Sequence, residues 1–452
     1  MVRVRFAPSP TGYLHIGNTR TLLLNYLFAK ANKGKLILRI EDTDMERSHS
    51  KYETSILEDI KWLDISWDEG PFRQSDRLDI YHDYAKILLE KKAAYRCFCS
   101  INELDEMRDG ALKKGDPPRY NGACRNLSDD VAKAMEKEGR PYVLRFKSLD
   151  KEISFLDDIH GLINFPRDHV DDFILMKQGN TPSYNFAATV DDMLMGITHV
   201  IRGADHVSNT PKQIMLFEAL GYSPPKYAHH SLLTGNDKKP LSKRHGVTNI
   251  REFRNTGILP LALMNYVGII GRNVKKELMD LGELAETFSI KSLSPSDSIF
   301  DMDKLLWINK EHIRETPVEF LLKDASLDIG LKEKVLLLRE NAKTLVEIKD
   351  LLSIFDGTDI DREGNEYLKS QKNTTIIIEA IKTILNDKTD ITFEELTNEI
   401  CNRINIKKKD MFMTLRIIFT GRKSGPPLGE IFHLIPKDNI MRRINGFISL
   451  IM

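Results

Sequence analysis

The chain begins with a strict alternation of apolar and polar residues, which then gives way to a helical pattern. Residues 2–6 carry valine or phenylalanine at every second position, with arginine between them, and this is the period of a β-strand. Pro8, Pro10 and Gly12 interrupt the alternation, and a helix is predicted from Asn18 onward. The apolar residues on one face of that helix are Leu22, Leu23, Tyr26 and Leu27.

The turn between this strand and this helix carries His15 and Gly17. Free backbone N–H groups and the helix dipole both favour an anion at a helix N-terminus. Gly17 would let a nucleotide approach the backbone, and His15 could donate a hydrogen bond to a phosphoryl oxygen. Many strand-to-helix turns bind nothing, so both interpretations stay open until partner residues are found.

A second apolar strand, Leu36-Ile-Leu-Arg-Ile40, runs directly into Glu41-Asp-Thr-Asp44. Helical stretches follow to about Ala94, and strand and helix patterns alternate along this part of the chain, which predicts a parallel sheet. Ligands bind at the carboxyl ends of the strands in such sheets. The carboxylates after residue 40 are therefore candidates for a binding site.

The pattern of predicted secondary structure changes between Cys97 and about Met176. Short strands such as Tyr142–Phe146, frequent turns and clustered cysteines predict an inserted α+β domain. Alternation of helix and strand then resumes with a helix over 209–221, which has a capping residue, an early proline and a terminating glycine.

Beyond about Thr316 the pattern is helical almost throughout, and Thr392-x-x-Glu395 resembles a capping box. Apolar residues follow helical spacing at two places: Leu336, Leu337, Leu345, Ile348, Leu351 and Leu352, then Ile376, Ile377, Ala380, Ile381 and Ile384. Basic residues cluster at Lys407–Lys409, Arg416, Arg422-Lys423 and Arg442-Arg443. Such clusters are either solvated surface or contacts to phosphate.

Length and composition set broad limits. A chain of 452 residues accommodates two to four domains. Lys+Arg and Asp+Glu are both 66, so a nucleic-acid partner would have to be held by local basic surface. We expect no signal peptide and no membrane span, and the four cysteines do not suggest a disulfide framework. These features predict a cytoplasmic protein.

His15-Ile-Gly17 and Pro240-Leu-Ser-Lys-Arg244 resemble the two motifs of class I aminoacyl-tRNA synthetases, and their flanking residues resemble bacterial-type glutamyl-tRNA synthetases. The resemblance covers about residues 1–315 and is looser beyond. The matching segments are Arg5-Phe-Ala-Pro-Ser-Pro-Thr-Gly12, Arg39-Ile-Glu-Asp-Thr-Asp44, Trp67-Asp-Glu-Gly-Pro71, Gln74-Ser75, Tyr184-Asn-Phe186, Val190-Asp-Asp192 and Ile201-Arg-Gly203.

The resemblance implies activation of an amino acid by ATP, used with Mg²⁺, and then transfer to tRNA. Attack of a carboxylate on the α-phosphate builds charge on phosphoryl oxygens, which oriented donors and cations stabilise. His15 and Lys243 would be the catalytic residues, with Lys243 on a mobile loop neutralising the pyrophosphate side. The ATP-binding residues implied are Ser9, His15, Gly17, Asn18, Asp205, Leu241, Ser242 and Lys243.

The implied amino acid, L-glutamate, has two carboxylates and one ammonium group. By position match Arg5 and Arg202 would bind the carboxylates, since the planar guanidinium meets a carboxylate bidentately. Glu41 would bind the ammonium group, Tyr184 would add a hydroxyl, and Ser9 would contact the substrate or the adenylate. The alternative for Arg5 is a salt bridge at the strand end with Glu41 or Asp44.

Four positions depart from the family pattern. Asn18 replaces the last histidine of the first motif, as is common in this family. Pro240 replaces the first lysine of the second motif, although Lys239 precedes it and could reach the same phosphate. Ala188 stands where some relatives have a substrate-binding asparagine, and Ala204 stands where an acidic residue is frequent.

Cys97, Cys99, Tyr120 and Cys124 match the zinc site of some family members. Thiolates close in sequence, together with a distant third, suit tetrahedral zinc. The alternative is a set of reduced structural cysteines. Zinc here would be structural, and Cys401 is expected in a helix and in a core.

The predicted fold class is α/β: a Rossmann-type parallel-sheet catalytic domain with an inserted α+β acceptor-end domain, followed by an all-α anticodon-binding region. The predicted domains are the two halves of the catalytic domain (1–96 and 179–250), the insert (97–178), a stem-contact domain (251–315) and the anticodon-binding domain (316–452). The expected partners are tRNA(Glu), with tRNA(Gln) left open, L-glutamate and ATP. We expect a monomer and no membrane.

Three alternatives remain beside a glutamate–tRNA ligase. The glutaminyl enzyme has a β-rich C-terminal part, whereas this one is predicted helical. The short glutamyl-queuosine relative lacks an anticodon domain, against which residues 316–452 argue. A catalytically silent paralogue that binds tRNA or a protein would not need His15, Lys243, Arg5 and Glu41.

Overall fold

The computed structural model describes residues 1–115, 117–167, 169–241, 246–388 and 390–451. The chain divides into two compact units. One comprises Met1–Glu252 with Met264–Asp301, and the other comprises Phe253–Leu263 with Met302–Met452. Among the described residues, no helix has the length and apolar character needed to cross a membrane.

The first unit contains the β-strands and is mixed α/β. Its strands are β1 (Arg3–Phe6), β2 (Lys35–Ile40), β3 (Glu69–Arg73), β4 (Ala94–Cys97), β5 (Val143–Phe146), β6 (Ile153–Asp157), β7 (Gly161–Phe165), β8 (Ile174–Met176), β9 (His199–Gly203), β10 (Lys226–His230), β11 (Leu233–Thr234) and β12 (Ser298–Ile299). The helices up to residue 301 are α1 (Ile16–Ala31), α2 (Ser50–Trp62), α3 (Leu78–Glu90), α4 (Ile101–Lys114), α5 (Asp129–Lys137), α6 (Tyr184–Leu194), α7 (Thr210–Leu220), α8 (Ile250–Asn255), α9 (Pro260–Ile269) and α10 (Leu281–Glu286).

Parallel strands form the centre of this unit. β1 pairs with β2 and β2 with β3, all parallel, and β10 pairs in parallel with both β9 and β6. The two sets meet beside β1, where Thr198 donates its backbone N–H to the carbonyl oxygen of Arg3 at 2.9 Å. The carboxyl ends of these strands therefore lie at one edge, as the alternating pattern predicts. This confirms the parallel-sheet fold class.

Two smaller β elements consist mostly of strands from the predicted insert, and β4 lies at the boundary that precedes it. β4, β5 and β8 form an antiparallel three-stranded sheet. β6 and β7 form an antiparallel hairpin, and β6 also pairs with β10 of the parallel sheet through Asp157 and Tyr227. Part of the chain between residues 97 and 178 thus extends the parallel sheet.

Three local predictions can be compared with the structure. Helix α1 begins at Ile16, two residues before the predicted start, because His15 is its N-cap and its Nδ1 accepts the backbone N–H of Gly17. The sequence predicted helical stretches between residue 44 and Ala94 but did not identify strand β3, which pairs with β2. The predicted helix over 209–221 is confirmed as α7, which ends at Gly221 in the left-handed conformation (φ 89°).

The second unit is helical, as predicted. From residue 302 on, the helices are α11 (Met302–Glu315), α12 (Val318–Asp324), α13 (Lys332–Leu338), α14 (Leu345–Leu351), α15 (Ser353–Asp356), α16 (Arg362–Ser370), α17 (Thr374–Asp387), α18 (Phe393–Ile404), α19 (Lys408–Thr420), α20 (Leu428–Ile431) and α21 (Lys437–Ile451). The capping box of Thr392 and Glu395 is present at α18. Cys401 packs against the core of this unit, whereas Ile376, predicted on the apolar face of α17, is 54% exposed.

Candidate active site

A cavity of about 660 Å³ opens at the carboxyl ends of β1, β2 and β9. Its position follows from the parallel sheet, because the loops after these strands diverge there. Most of the residues implied by the motif resemblance line this one cavity: Arg5, Ser9, His15, Gly17, Asn18, Glu41, Tyr184, Arg202, Asp205 and Leu241. The other two residues implied for ATP, Ser242 and Lys243, lie outside the described residues.

His15 lies at the start of α1 with a defined pattern of hydrogen bonding. Its Nδ1 accepts the backbone N–H of Gly17 at 3.1 Å, so the proton of the neutral ring is on Nε2. Burial lowers the pKa of His15 and outweighs the negative charge of Glu252, which acts to raise it. The neutral ring is therefore favoured. A neutral His15 therefore presents one N–H donor, as a phosphoryl oxygen requires.

Arg5 is 4% exposed, and its Nε donates to Oδ1 of Asp192 at 3.2 Å. Among the described residues, the ion pair that Arg5 makes is with Asp192 and not with Glu41 or Asp44. The strand-end salt bridge considered from the sequence is therefore wrong. Because Asp192 takes the Nε edge, the outer nitrogens of the guanidinium remain to meet an anion in the cavity.

The buried Arg39 links Asp192 to Glu41. Its Nη1 donates to Oδ1 of Asp192 at 2.7 Å and its Nη2 to Oε1 of Glu41 at 3.1 Å. Burial opposes the charge of Arg39, but Asp192 and Glu41 outweigh it and raise its pKa. Burial raises the pKa of Glu41, and Arg39 and Arg5 oppose that shift. Burial also opposes the charge of Asp192, but Arg5 and Arg39 lower its pKa.

A second buried carboxylate, that of Asp191, also pairs with Arg39, with Oδ2 at 3.7 Å from Nε. Asp191 accepts from Arg77 at 2.8 Å, from Tyr81 at 2.8 Å and from Gln74 at 2.9 Å. From the sequence, Asp191 and Asp192 were identified only as part of the matching segment Val190-Asp-Asp192, and their structural role was missed. The available signal was Arg39 itself, a charged residue between the apolar residues Leu38 and Ile40 of β2.

Arg202 faces the same cavity from β9 and is 4% exposed. Its Nε donates to Nε2 of His229 at 3.1 Å, Nη1 to Oε1 of Gln213 at 3.0 Å and Nη2 to Oγ1 of Thr210 at 2.8 Å. Every nitrogen of the guanidinium thus has a fixed partner. Nη1 and Nη2 each keep one further N–H for a ligand.

The positions that depart from the family pattern differ in their surroundings. Ala188 is 1% exposed within α6. Asn18 and Pro240 line the cavity, and Ala204 directly follows β9. Neither alanine can supply the polar contact expected at its position.

The cysteine cluster in the first unit brings together all four predicted metal ligands. The Sγ atoms of Cys97, Cys99 and Cys124 lie within 4.8 Å of one another, and the last two are 3.6 Å apart. The hydroxyl of Tyr120 lies 3.3 Å from Sγ of Cys97 and 3.6 Å from Sγ of Cys99. Burial raises the pKa of Cys99 to about 12, so a nearby cation would favour its thiolate.

Comparison with known proteins agrees with this architecture. The family described as tRNA synthetases class I (E and Q), catalytic domain, matches residues 1–307, and an anticodon binding domain matches residues 302–448. The fold and the cavity are thus those of a class I aminoacyl-tRNA synthetase. Within that class, the chain belongs to the glutamate and glutamine (E and Q) family, which confirms the resemblance seen in its motifs.

Relatives match this chain along almost its whole length. It is 41% identical to glutamate–tRNA ligase 2 of Caldanaerobacter subterraneus subsp. tengcongensis, covering 99% of both chains. It is 41% identical to the glutamate–tRNA ligase of Aquifex aeolicus, covering 98% of both. The fold is similar to that of a glutamate tRNA ligase from Elizabethkingia meningosepticum in complex with its amino acid, with a TM-score of 0.87, 30% identity and 99% of both chains covered.

Proposed function

We propose that this protein is a glutamate–tRNA ligase, which activates L-glutamate with ATP to glutamyl-adenylate and then transfers it to the 3′ end of tRNA. The observation that carries the proposal is the charge pattern of the cavity. Two nearly buried arginines, Arg5 and Arg202, and one nearly buried carboxylate, Glu41, line it. The buried Arg20 also lines it, but its guanidinium donates to the backbone carbonyl oxygens of Ser231 and Ile270. Glutamate has the complementary set of two carboxylates and one ammonium group.

In this proposal Arg5 and Arg202 bind the two carboxylates and Glu41 binds the ammonium group. Arginine suits both positions because its remaining N–H groups form a planar fork. The hydroxyl of Tyr184 reaches the side-chain carboxylate, and Ser9 contacts the substrate or the adenylate. Burial of Arg5, Arg202 and Glu41 in the cavity strengthens their electrostatic selection of a dianion.

ATP occupies the part of the cavity beside α1. His15 donates from Nε2 to a phosphoryl oxygen, the backbone N–H groups after Gly17 meet the phosphates, and Asp205 binds the ribose. Asn18, Leu241 and Ser242 complete the nucleotide site, and Lys243 neutralises the pyrophosphate. Attack of the glutamate carboxylate needs no covalent enzyme intermediate, so oriented donors and cations supply the catalysis. Mg²⁺ accompanies ATP and lowers the charge of its phosphates.

We also propose that Cys97, Cys99, Tyr120 and Cys124 bind a structural zinc ion. Zn–S bonds of about 2.3 Å in a tetrahedron separate the sulfur atoms by about 3.8 Å, and the 3.6 Å between Cys99 and Cys124 fits that arrangement. Zinc would join the chain near residue 97 to the chain near residue 124. The insert so stabilised would approach the acceptor end of tRNA.

The five-part domain division remains part of this proposal. The catalytic domain would comprise 1–96 and 179–250, with the acceptor-end insert at 97–178 and the stem-contact domain at 251–315. The anticodon-binding domain would comprise 316–452, with Lys407–Lys409 and Arg422 as candidate phosphate contacts. We propose a cytoplasmic monomer that charges tRNA(Glu), and tRNA(Gln) is a second candidate substrate.

A pyrophosphate-exchange assay with glutamate, run with and without tRNA, tests the activity. Exchange that depends on tRNA is expected, because members of this family generally need bound tRNA before they activate the amino acid. No exchange under either condition would contradict the proposal and favour a silent paralogue. Aminoacylation of each purified tRNA separately then shows whether tRNA(Gln) is also charged.

A further inference from the structure

Arg202 and His229 are directly opposite each other on the neighbouring parallel strands β9 and β10. His229 is completely buried and belongs to none of the motifs that indicated the function. On its other side, His229 Nδ1 lies 2.7 Å from Oδ2 of Asp157, which ends β6 and is 1% exposed. Three buried residues from three adjacent strands thus form one line of hydrogen bonds.

The donors and acceptors in this line fix the tautomer of His229. Arginine carries only donors, so Nε2 of His229 must accept the N–H of Arg202 Nε at 3.1 Å. The ring proton is therefore on Nδ1, where it is donated to Asp157. The hydroxyl of Thr210 accepts from Arg202 Nη2 and lies 3.1 Å from the same Nε2. Because Nε2 carries no hydrogen, the hydroxyl is the donor in this second contact.

Asp157 is held in place as an acceptor by the backbone. Its Oδ1 accepts the N–H groups of Ile159 and His160, both at 2.9 Å, and its Oδ2 accepts the N–H of His229 at 3.1 Å. Both carboxylate oxygens are therefore committed to donors. The carboxylate can only accept from His229, which leaves the ring one orientation and one tautomer.

We propose that Asp157 and His229 are positioning residues that hold the guanidinium of Arg202 in the orientation required to bind the side-chain carboxylate of the amino acid. His229 accepts the N–H of Arg202 Nε, and the outer N–H groups of Arg202 are therefore directed at the ligand. This inference rests on the proposed function, since it needs a carboxylate substrate at Arg202. The effect belongs to amino-acid binding and leaves ATP binding at His15 unaffected.

The test measures the KM for glutamate and the KM for ATP in tRNA-dependent pyrophosphate exchange. His229→Met removes the acceptor and should raise the glutamate KM roughly tenfold or more, because it leaves a buried charged donor without its partner. The ATP KM should stay within about twofold of wild type, because the lost hydrogen bond belongs to Arg202 and not to the ATP-binding residues. His229→Gln keeps an acceptor near the position of Nε2 and should recover most of the loss.

Asp157→Asn gives a second, independent variant of nearly the same volume. The backbone donors at residues 159 and 160 retain the amide oxygen, so the NH₂ group faces His229 and favours the wrong tautomer. This variant should therefore behave like His229→Met. His199→Gln is the matched control, because His199 begins β9 in the same sheet, does not line the cavity and should leave both KM values unchanged.

The outcomes separate the inference from the function on which it rests. If wild type charges tRNA with glutamate but the glutamate KM of Asp157→Asn equals that of wild type, the positioning role is refuted. Equal rises in both KM values, or no recovery in His229→Gln, would also refute it, because they indicate a general structural loss. If wild type shows no exchange, the proposed function itself fails. Should His229→Met not fold, Asp157→Asn and His229→Gln decide the matter.

Discussion

Arg39 and Asp192 form an almost completely buried ion pair, with Nη1 of Arg39 at 2.7 Å from Oδ1 of Asp192. The same carboxylate oxygen of Asp192 also accepts Nε of Arg5, and Arg39 extends to Glu41. Positive and negative charges therefore alternate beneath the cavity. Removing one member leaves its neighbours charged and without compensation in a medium of low polarity.

We predict that Asp192→Ala lowers the free energy of unfolding by about 3–5 kcal/mol, since it leaves Arg39 and Arg5 without a partner that they share. The measurement is urea unfolding followed by tryptophan fluorescence in a Trp307→Phe background. In that background Trp62 and Trp67 report only on the first unit.

The control for this prediction is Glu138→Ala, which breaks the pair of Glu138 with Arg140. Those side chains are 60% and 59% exposed, so the loss should stay below about 1 kcal/mol. Equal losses in the two variants would show that the buried network does not stabilise the unit.

Lys243→Ala should slow amino-acid activation roughly 100-fold, because it removes a cation that acts on the developing charge of the pyrophosphate. The glutamate KM should change less than about twofold, since this charge is absent in the ground state. Rates of pyrophosphate exchange at saturating substrates measure the effect. Lys238→Ala is the control, because Lys238 is close to Lys243 in sequence and is not one of the residues implied to bind ATP or glutamate. Equal losses in rate and in glutamate binding would contradict the role of Lys243.

Local sequence pattern was sufficient for much of the fold. The strand before residue 7, the helix ending at Gly221 and the helices after residue 316 were predictable because hydrophobic period and capping chemistry act over a few residues. Strand β3 was not, since its residues Glu69–Arg73 include a glycine and a proline and none of them is buried. Its pairing with β2 is a tertiary contact without a local pattern.

In the candidate site, too, residues within motifs could be predicted from the sequence, whereas residues that act through distant contacts could not. Arg5, His15 and Glu41 could be named because they lie in segments that resemble the motifs of a known family. Asp192 and His229 could not, because their roles depend on contacts 187 and 27 residues away in sequence. A charged residue within an apolar strand indicates that a buried partner exists, but it does not identify that partner.

Purified protein should contain about one zinc ion per chain, as a single tetrahedral site requires. Cys124→Ser should lose the metal, because it removes one of three thiolates, and Cys401→Ser should retain it, because Cys401 packs in the helical unit. Metal analysis after gel filtration gives the content. A chelator should lower the Tm of wild type but not that of Cys124→Ser, and full zinc content in Cys124→Ser would exclude this site.

His230 should make the first unit sensitive to acid. It is almost fully buried, and its Nδ1 donates to the carbonyl oxygen of Ser231 while Nε2 accepts from Thr21. Burial, and then the nearby charge of Arg20, lower the pKa of His230 from 6.5 to about 3.

The pKa of His230 is lower in the folded chain than in the unfolded chain. Between pH 6.5 and about pH 3 the unfolded chain therefore binds a proton at this residue and the folded chain does not. Stability is therefore unaffected above pH 6.5 and falls as the pH drops from 6.5 towards 3. Between pH 7.5 and pH 5 the wild type should lose about 2 kcal/mol more than His230→Gln, which cannot titrate. Urea unfolding of both proteins in the Trp307→Phe background measures this difference. Since all other titrating groups are shared, parallel pH profiles would show that protonation of His230 does not limit acid stability.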